Sequence, residues 1–305
     1  MKFSIFQASR QGGRKYNQDR LAYSYSRDAL LMVVADGMGG HFHGEIASQI
    51  VVQFLVDNFQ KQATPALRDP FRFLLDAIGQ AHEAIGDYVL AHGLKDHPRT
   101  TCIACVVQGR NAYWAHVGDT RLYLFRNGKL VMRTRDHSLV QQLFERGQIS
   151  EDQMTTHPDR NKIYNCLGGP IPPDIELSRK TPLREGDTLL LCSDGLWSLL
   201  SVSEIASILD TYPITAAVPE LLDHAELRGG EEGDNLSAIG MRWGDESEVL
   251  NPRSISTATM PLDSFTVELD AFDMTQGKHG EMEVSEADIE RAIAEIQAAI
   301  QKYSK

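Results

Sequence analysis

The sequence predicts an α+β fold in which antiparallel strand hairpins are combined with long helices. Short apolar runs have the length of strands, and they occupy residues 30–35, 101–108, 112–117, 188–193 and 236–243. The dipeptide Asn127-Gly128 lies between apolar flanks, which is typical of a tight hairpin turn. The hairpin turn indicates antiparallel pairing of its two flanking strands.

Apolar residues at helical spacing predict the helices of this fold. A first set comprises Ile46, Ile50 and Phe54. A second, longer set comprises Phe71, Leu74, Leu75, Ile78, Ile85 and Tyr88 or Val89. A further short helix is expected over residues 137–146.

Composition and charge exclude several classes of protein. The formal net charge of −12 argues against a nucleic-acid partner, because phosphate backbones require clustered Lys and Arg. No run approaches the roughly 20 apolar residues of a membrane helix, and residues 1–15 contain no apolar signal core. The four cysteines are too few for a disulfide framework, and Cys102 and Cys105 point to opposite faces of a strand. We therefore expect reduced thiols and a cytoplasmic protein that contacts neither nucleic acid nor membrane.

The chain divides into a domain and a tail. Residues 1–243 have the alternating runs and turns of one dense domain, whereas residues 244–281 show little periodicity and are interpreted as a flexible linker. Residues 282–305 predict a C-terminal amphipathic helix, whose apolar seam comprises Ile289, Ile293, Ile296, Ile300 and Tyr303. The helix can dock on its own domain, bind a partner or a second copy, or remain frayed.

Four aspartates share one setting, since each lies at the edge of an apolar run and beside a glycine. They are Asp36, Asp119, Asp194 and Asp234. Each Asp-Gly or Gly-Asp pair alone is typical of a turn. Together, strand ends at one edge of a sheet would bring the carboxylates to one point, where they would repel one another unless a cation neutralised them.

Such an oxygen-only ligand set suits Mg²⁺ or Mn²⁺. Two divalent ions would activate a water for attack on phosphorus and offset charge on the phosphoryl oxygens. Arg14 is a candidate to hold the phosphate, because its planar fork donates two hydrogen bonds. Taken alone, however, an arginine at this position is more often an ordinary surface residue.

The motifs in their order along the chain resemble a known family. They begin with residues 14–19 (RKYNQD) and continue with VVADGMGGHFHGEIAS, RTTCIACVV, AHVGDTRLYLFRNGKL, RTRDHSLVQQLFERGQIS, NKIYNCLGG, LLLCSDGLWSLL and GDNLSAI. This series is similar to that of the bacterial metal-dependent type 2C serine/threonine protein phosphatases, the PPM family. The resemblance covers residues 3 to about 243. It implies a four-layer α-β-β-α sandwich of two packed antiparallel sheets, flanked by helices and followed here by the C-terminal linker and helix.

The resemblance also implies roles for individual residues. Asp36 would bridge two ions, Asp194 and Asp234 would complete the first, and the Gly37 carbonyl would serve the second. Asp19 would act near the second ion through water.

Two further positions follow from the same resemblance. Asp119, with Asp194, would hold a third, weaker ion. Arg14 would bind the phosphate.

The general acid is the least defined role. His41 in DGMGGH could protonate the leaving oxygen, although animal relatives carry their histidine where this chain has Met38. His116 and His137 are expected to be structural. Gln18 replaces the usual Glu, so affinity for the second ion is expected to differ. Thr120 replaces the usual Ser, a mild change that keeps the hydroxyl. Residues 148–165 would form the flap beside the cleft.

The expected function is metal-dependent hydrolysis of phosphoserine and phosphothreonine in proteins, as part of signalling that opposes a bacterial Ser/Thr kinase. Two alternatives stay open at this point. One is a catalytically weak scaffold that binds phosphoproteins, and the other is a phosphatase of small phosphoesters. The expected partners are phosphorylated proteins, including a Ser/Thr kinase.

Overall fold

Two antiparallel sheets lie face to face at the centre of the structure, a computed structural model that describes residues 1–38, 44–244 and 256–259. The strands are β1 (Phe3–Arg10), β2 (Asp19–Tyr25), β3 (Ala29–Met38), β4 (Arg99–Thr100), β5 (Cys102–Gln108), β6 (Asn111–Val117), β7 (Arg121–Arg126), β8 (Lys129–Arg133), β9 (Glu176–Leu177), β10 (Thr181–Pro182), β11 (Thr188–Cys192), β12 (Leu236–Trp243) and β13 (Ser256–Thr259). The helices are α1 (Gly44–Gln62), α2 (Pro70–His92), α3 (Leu139–Glu145), α4 (Glu151–Thr156), α5 (Asp194–Trp197), α6 (Val202–Thr211) and α7 (Ile214–Gly229).

The pairing of the strands follows the hairpins expected from the sequence. One sheet has the order β1-β12-β11-β7-β8. The other has the order β10-β6-β5-β3-β2-β13, with β4 paired to β3 and β9 to β6. Both sheets are antiparallel throughout. The antiparallel α+β prediction is therefore confirmed.

Alternating side chains of β3 show how the layers stack. Leu30 and Met32 point between the two sheets, where they meet Leu191 of β11. Leu31 and Val33 point the other way and pack with helices α1 and α2. Successive side chains of the strand therefore point to opposite faces of the sheet. Both faces are buried, because another layer covers each of them.

Helices cover the outer face of each sheet. Helices α1 and α2 pack on the sheet that contains β3. Residues of α5, α6 and α7 pack on the outer face of β11 and β12. The layers are therefore α-β-β-α, and the four-layer sandwich implied by the resemblance is confirmed.

Local sequence signals account for the ends of several elements. Asn127 and Gly128 both have positive φ values, 50° and 66°, as the predicted hairpin turn between β7 and β8 requires. Helix α2 begins after Asp69, whose side chain accepts hydrogen bonds from two backbone N–H groups, and has Pro70 in its first turn. Ser138 caps α3, which lies within the predicted helix 137–146.

The strands also separate the two cysteines of the CxxC motif. Cys102 packs on the helix side of β5 and Cys105 between the sheets. The four cysteines are free thiols. The prediction that this motif is not a metal-binding pair is consistent with that placement.

The segment 244–281 contains one described strand. Residues of β13 pair with β2, with Ser256 opposite Tyr25 and Thr259 opposite Ala22. This part of the segment interpreted as a linker thus extends a sheet. The predicted C-terminal helix, 282–305, lies outside the described residues. No helix among the described ranges has both the length and the apolar character needed to cross a bilayer.

Phe54 tests the contribution of the helix–sheet core. Its side chain is 1% exposed in the cluster between α1 and the sheet. Phe54→Ala is expected to lower the free energy of unfolding by about 3–5 kcal/mol, because it removes buried apolar contacts and leaves a cavity. Urea denaturation measures this change. Leu90→Ala is the matched control, since Leu90 is 81% exposed and its loss should change stability by less than about 0.5 kcal/mol.

Candidate metal centre and active site

Two of the candidate aspartates face each other across one strand pair. Strand β2 begins at the edge of the sheet where β3 ends, and the register places Asp19 directly opposite Asp36. Residues directly opposite in an antiparallel pair have neighbouring side chains on the same face. Hairpin topology therefore brings these two carboxylates together.

The second sheet supplies two more carboxylates to the same edge. Asp194 is the first residue of α5, two residues beyond β11, and Asp234 lies two residues before β12. A side chain on Gly195 would place its Cβ 2.1 Å from the backbone oxygen of Asn235, so only glycine permits this approach. The close backbone contact holds Asp194 beside the Asp234 loop.

Electrostatic interactions show that the acids form one group. Burial raises the pKa of Asp36 well above its usual range, and the charges of Asp19, Asp194, Asp119 and Asp234 raise it further. Burial likewise raises the pKa of Asp119, with Asp194 as the next cause. The other four candidate aspartates are therefore all within electrostatic reach of Asp36.

Asp19 and Asp194 are affected in the same direction. Burial raises the pKa of Asp19 to about 6, although Ser193 donates a 2.7 Å hydrogen bond to its Oδ2. Burial, followed by repulsion from Asp234 and Asp19, raises the pKa of Asp194 to about 7. These side chains thus lie where a compensating positive charge would stabilise their ionised forms.

Unpartnered oxygens at this edge match a divalent cation. Asp19 Oδ1 and Asp119 Oδ1 are buried and accept no hydrogen bond from the described residues. A buried acceptor without a partner is costly unless it binds water or an ion. Carboxylate oxygens with raised pKa values, and no nitrogen or sulfur ligand among them, fit Mg²⁺ or Mn²⁺.

The backbone of Asp36 is fixed from the neighbouring segment. Thr101 N–H and the Thr100 hydroxyl donate to the Asp36 carbonyl oxygen at 2.9 and 2.8 Å. Asp36 N–H in turn donates to Thr101 Oγ1 at 3.1 Å. Sequence reasoning assigned no role to these threonines, although the RTT motif contains them.

A buried ion pair supports the loop that carries Asp119. Arg121 donates two hydrogen bonds to Asp136, at 2.9 and 2.7 Å. Its guanidinium lies 3.5 Å above the centre of the Trp197 ring, and Trp197 Nε1–H donates to the Asp119 carbonyl oxygen at 2.9 Å. Asp136 and Trp197 were missed as positioning residues: both lie within quoted motifs, but nothing in the sequence shows that they contact Arg121.

Arg14 lies at the exposed rim of the acidic group. Its Nε and Nη2 donate to the two oxygens of Asp234, at 2.9 and 2.7 Å. The Arg14 side chain is 56% exposed and that of Asp234 is 40% exposed. The structure therefore places the candidate phosphate-binding residue beside the candidate metal ligands.

The other predicted positions are placed as follows. Gly37 follows Asp36 in β3, and its N–H donates to the carbonyl oxygen of Gln18 at 3.2 Å. The Gln18 side chain donates to Glu45 at 3.3 Å. His41 lies outside the described residues.

A separate histidine cluster lies beyond the aspartates. Ligand atoms of His116, His137 and Glu176 lie within 4.8 Å of one another, a spacing not found for three of the aspartates within the described ranges. His137 Nδ1 accepts from Gly118 N–H and from the Asn165 amide, at 3.2 and 2.7 Å. The proton of neutral His137 therefore lies on Nε2, which faces Glu176 at 3.4 Å, and this nitrogen is not free to bind a metal. A structural role for both histidines fits this tautomer.

The fold is an α-β-β-α sandwich with a group of buried carboxylates at one edge, and this edge is the candidate site for divalent cations. The family model described as protein phosphatase 2C matches residues 7–226. A putative protein phosphatase 2C-type of Streptococcus pyogenes is 33% identical over 230 residues, which are 74% of this chain and 92% of that protein. The chain therefore belongs to the protein phosphatase 2C family.

Solved structures agree with this assignment. A serine/threonine phosphatase of S. agalactiae has a TM-score of 0.72 and 31% identity, over 79% of this chain and 99% of that one. The catalytic domain of PstP, in complex with two manganese ions, has a TM-score of 0.67 and 31% identity, over 79% of this chain and 98% of that one. The enzyme class predicted from the sequence, a metal-dependent serine/threonine phosphatase, is confirmed.

The raised pKa values predict how stability changes with pH in the presence of EDTA. Folded Asp19 and Asp194 keep protons up to about pH 6 and 7, whereas unfolded Asp loses its proton near pH 3.8. Their contribution to stability is therefore present below about pH 4 and is lost as pH rises to 7. The melting temperature in EDTA should fall by several degrees between pH 5 and 7.5.

Divalent cations should reverse this loss. Excess Mn²⁺ at pH 7.5 is expected to restore the melting temperature, because binding to the folded state alone stabilises it. Scanning calorimetry in EDTA and in Mn²⁺ at both pH values makes the comparison. Identical melting temperatures in Mn²⁺ and EDTA at pH 7.5 would contradict the assignment of a cation site to these carboxylates.

Proposed function

We propose that this phosphatase hydrolyses phosphoserine and phosphothreonine in proteins at the edge that carries the five aspartates. The observation that supports this site is the convergence of acids from distant segments. They are Asp19, Asp36, Asp119, Asp194 and Asp234. Four of these carboxyls have raised pKa values, and two have a buried oxygen without a hydrogen-bond partner.

The position of each residue suggests which of two ions it would hold. Asp36 is assigned to bridge them, because it interacts electrostatically with all the other acids. Asp194 and Asp234 are assigned to the first ion. The Gly37 carbonyl oxygen is assigned to the second ion. Asp19 is assigned to the same ion, through a water molecule.

A third, weaker ion is assigned to Asp119 with Asp194. Support comes from the charge of Asp194, which is the largest cause of the raised pKa of Asp119 after burial. The buried, unpartnered Asp119 Oδ1 is the atom proposed to face this ion. Trp197 and Arg121 would hold the loop in place from behind.

Bound Mg²⁺ or Mn²⁺ would supply an activated water and neutralise phosphoryl charge. The protein's own part is to hold the ester against that centre. Arg14 is proposed to donate two N–H groups to the phosphate oxygens, since its exposed fork is adjacent to Asp234. Arg14 would orient the phosphate for displacement in line with the leaving oxygen.

The proton donor for the leaving oxygen stays a proposal from the sequence. His41 is the candidate, five residues after Asp36, at the end of DGMGGH. Its protonated ring, the imidazolium, would donate a proton to the departing serine or threonine oxygen and become neutral imidazole. A pH–rate profile that lost its alkaline limb in His41→Ala would support this role.

We further propose a cytoplasmic signalling role that opposes a bacterial Ser/Thr kinase. Four free cysteines, three of them buried, fit a reducing compartment. Proteins phosphorylated by such a kinase, and the kinase itself, are the proposed substrates and partners. The predicted helix 282–305 is proposed to recruit a partner or a second copy of the chain.

Asp36→Asn tests the catalytic centre. The substitution keeps the size of the side chain but removes the charge that is assigned to both ions. Mn²⁺-dependent phosphate release from a phosphothreonine peptide should fall at least about 100-fold, as expected for loss of a main stabilising group. Asp210→Asn is the control, because Asp210 is an exposed acid on α6, and it should retain full turnover.

Three outcomes of this assay would contradict the proposal. Turnover that survives EDTA would exclude a metal-dependent reaction. Absence of turnover in the natural chain, with phosphoprotein binding retained by Asp36→Asn, would favour the scaffold alternative. A higher rate on a phosphosugar than on the phosphopeptide would favour a phosphatase of small phosphoesters.

Removal of residues 260–305 tests the role of the tail. This truncation retains β13 and therefore the pairing with β2. We expect a changed oligomeric state or weaker association with a Ser/Thr kinase, measured by light scattering after size exclusion and by pull-down. Hydrolysis of a short phosphopeptide should persist. If oligomeric state, kinase association and rate on protein substrates were all unchanged, the tail would have no recruiting role.

A further inference from the structure

The two groups that are proposed to hold metal and phosphate are bound to each other. Arg14 engages both carboxylate oxygens of Asp234, through Nε at 2.9 Å and Nη2 at 2.7 Å. Asn235 N–H donates a third hydrogen bond to Asp234 Oδ1, at 2.9 Å. A carboxylate has about four acceptor positions, and these three hydrogen bonds fill most of them on both oxygens, so a cation that binds Asp234 competes with Arg14.

The backbone fixes the base of Arg14 beside Asp234. Gly13 N–H donates to the carbonyl oxygen of Gly233 at 2.9 Å. Gly12 has a φ of +63°, and a Cβ there would lie 2.2 Å from the carbonyl oxygen of Asp234. The β1–β2 loop therefore lies against the Asp234 loop, and a change of partner by Arg14 requires only rotation of its own side chain.

The ion pair between Arg14 and Asp234 is well formed, but it contributes little enough to stability that either residue can change its partner. Both side chains are substantially exposed, and exposed ion pairs contribute little to stability because water competes for them. The hydrogen bonds to Asp234 raise the pKa of Arg14, and the charges of Asp194 and Asp36 add to this. A divalent cation has twice the charge of the guanidinium and interacts with the same acids.

We propose that Arg14 is a tethered counter-ion of Asp234, which a divalent cation displaces, so that metal loading releases the guanidinium to the phosphate of the substrate. This inference rests on the proposed function. It makes Arg14 a link between two binding events, because the fork cannot direct the same N–H groups to Asp234 and to phosphate. By linkage, phosphate held by Arg14 should favour the metal by the same factor.

Arg14→Lys separates this exchange from a general charge effect. Lysine keeps the positive charge near the acidic group but cannot form the two-pronged pair. Mn²⁺ binding to the full chain is measured by isothermal titration calorimetry, without substrate. The matched control is Arg10→Lys, since Arg10 pairs with Asp223 and Glu226 on α7 and not with any of the five aspartates.

The expected result is a Mn²⁺ affinity about two- to fivefold higher in Arg14→Lys, the range that an exposed ion pair allows, with no change in Arg10→Lys. An unchanged or lower affinity in Arg14→Lys would overturn the inference and leave the proposed function standing. Failure of the natural chain to bind Mn²⁺, or equal binding by Asp36→Asn, would overturn both.

Nuclear magnetic resonance follows the exchange directly. The Nε–Hε signal of Arg14, identified by its absence from Arg14→Lys, should shift when Mg²⁺ is added to the natural chain. The Arg10 signal should not shift. A shifted Arg14 signal supports displacement from Asp234, and a signal unchanged at saturating Mg²⁺ overturns it.

Discussion

Repulsion among carboxylates at one edge of the sandwich is the constraint on which the site depends. Five acids reach that edge because antiparallel strands begin and end there, and the register of β2 and β3 alone makes Asp19 and Asp36 neighbours. Burial opposes ionisation of these groups, and their mutual charge adds to the effect. A folded chain that holds them in this way is prepared for a cation before any substrate arrives.

The supporting residues make that arrangement rigid. Thr100 and Thr101 fix the backbone of Asp36, and Ser193 orients Asp19. On the far side, Trp197 holds the Asp119 carbonyl oxygen and lies under Arg121. Each of these contacts joins segments far apart in the chain, so the precision of the site comes from the packing of both sheets.

Much of the fold could be predicted from the sequence, because buried strands are apolar over their whole length. The runs that form β3, β5, β6, β11 and β12 were found in this way. Strands β1 and β2 were not singled out, since β1 alternates polar and apolar residues and β2 begins with Asp19 and Arg20. Strand β13 has no such signal, and its pairing with β2 depends on tertiary contact alone.

The candidate site was predictable to the level of residue types and motif order. Aspartates beside glycines at strand ends marked four of the acids, the resemblance of the motifs marked Asp19, and the charges of the other four all act on Asp36 in the structure. Contacts between distant loops were not predictable, because pairing of Arg14 with Asp234 depends on how the β1–β2 loop lies on the loop before β12. The tautomer of His137 likewise depends on Gly118 and Asn165, which no local pattern connects to it.

The pairing of β13 with β2 has a consequence for how this chain can be shortened. Strand β13 covers the outer edge of β2, and an uncovered edge strand offers unpaired N–H and C=O groups to any other chain. A fragment that stops at Gly244 would retain every assigned aspartate. It would lack β13, so the edge of β2 would have no paired strand. Self-association of such a fragment through this edge would then result from the truncation and would not be a property of the whole phosphatase.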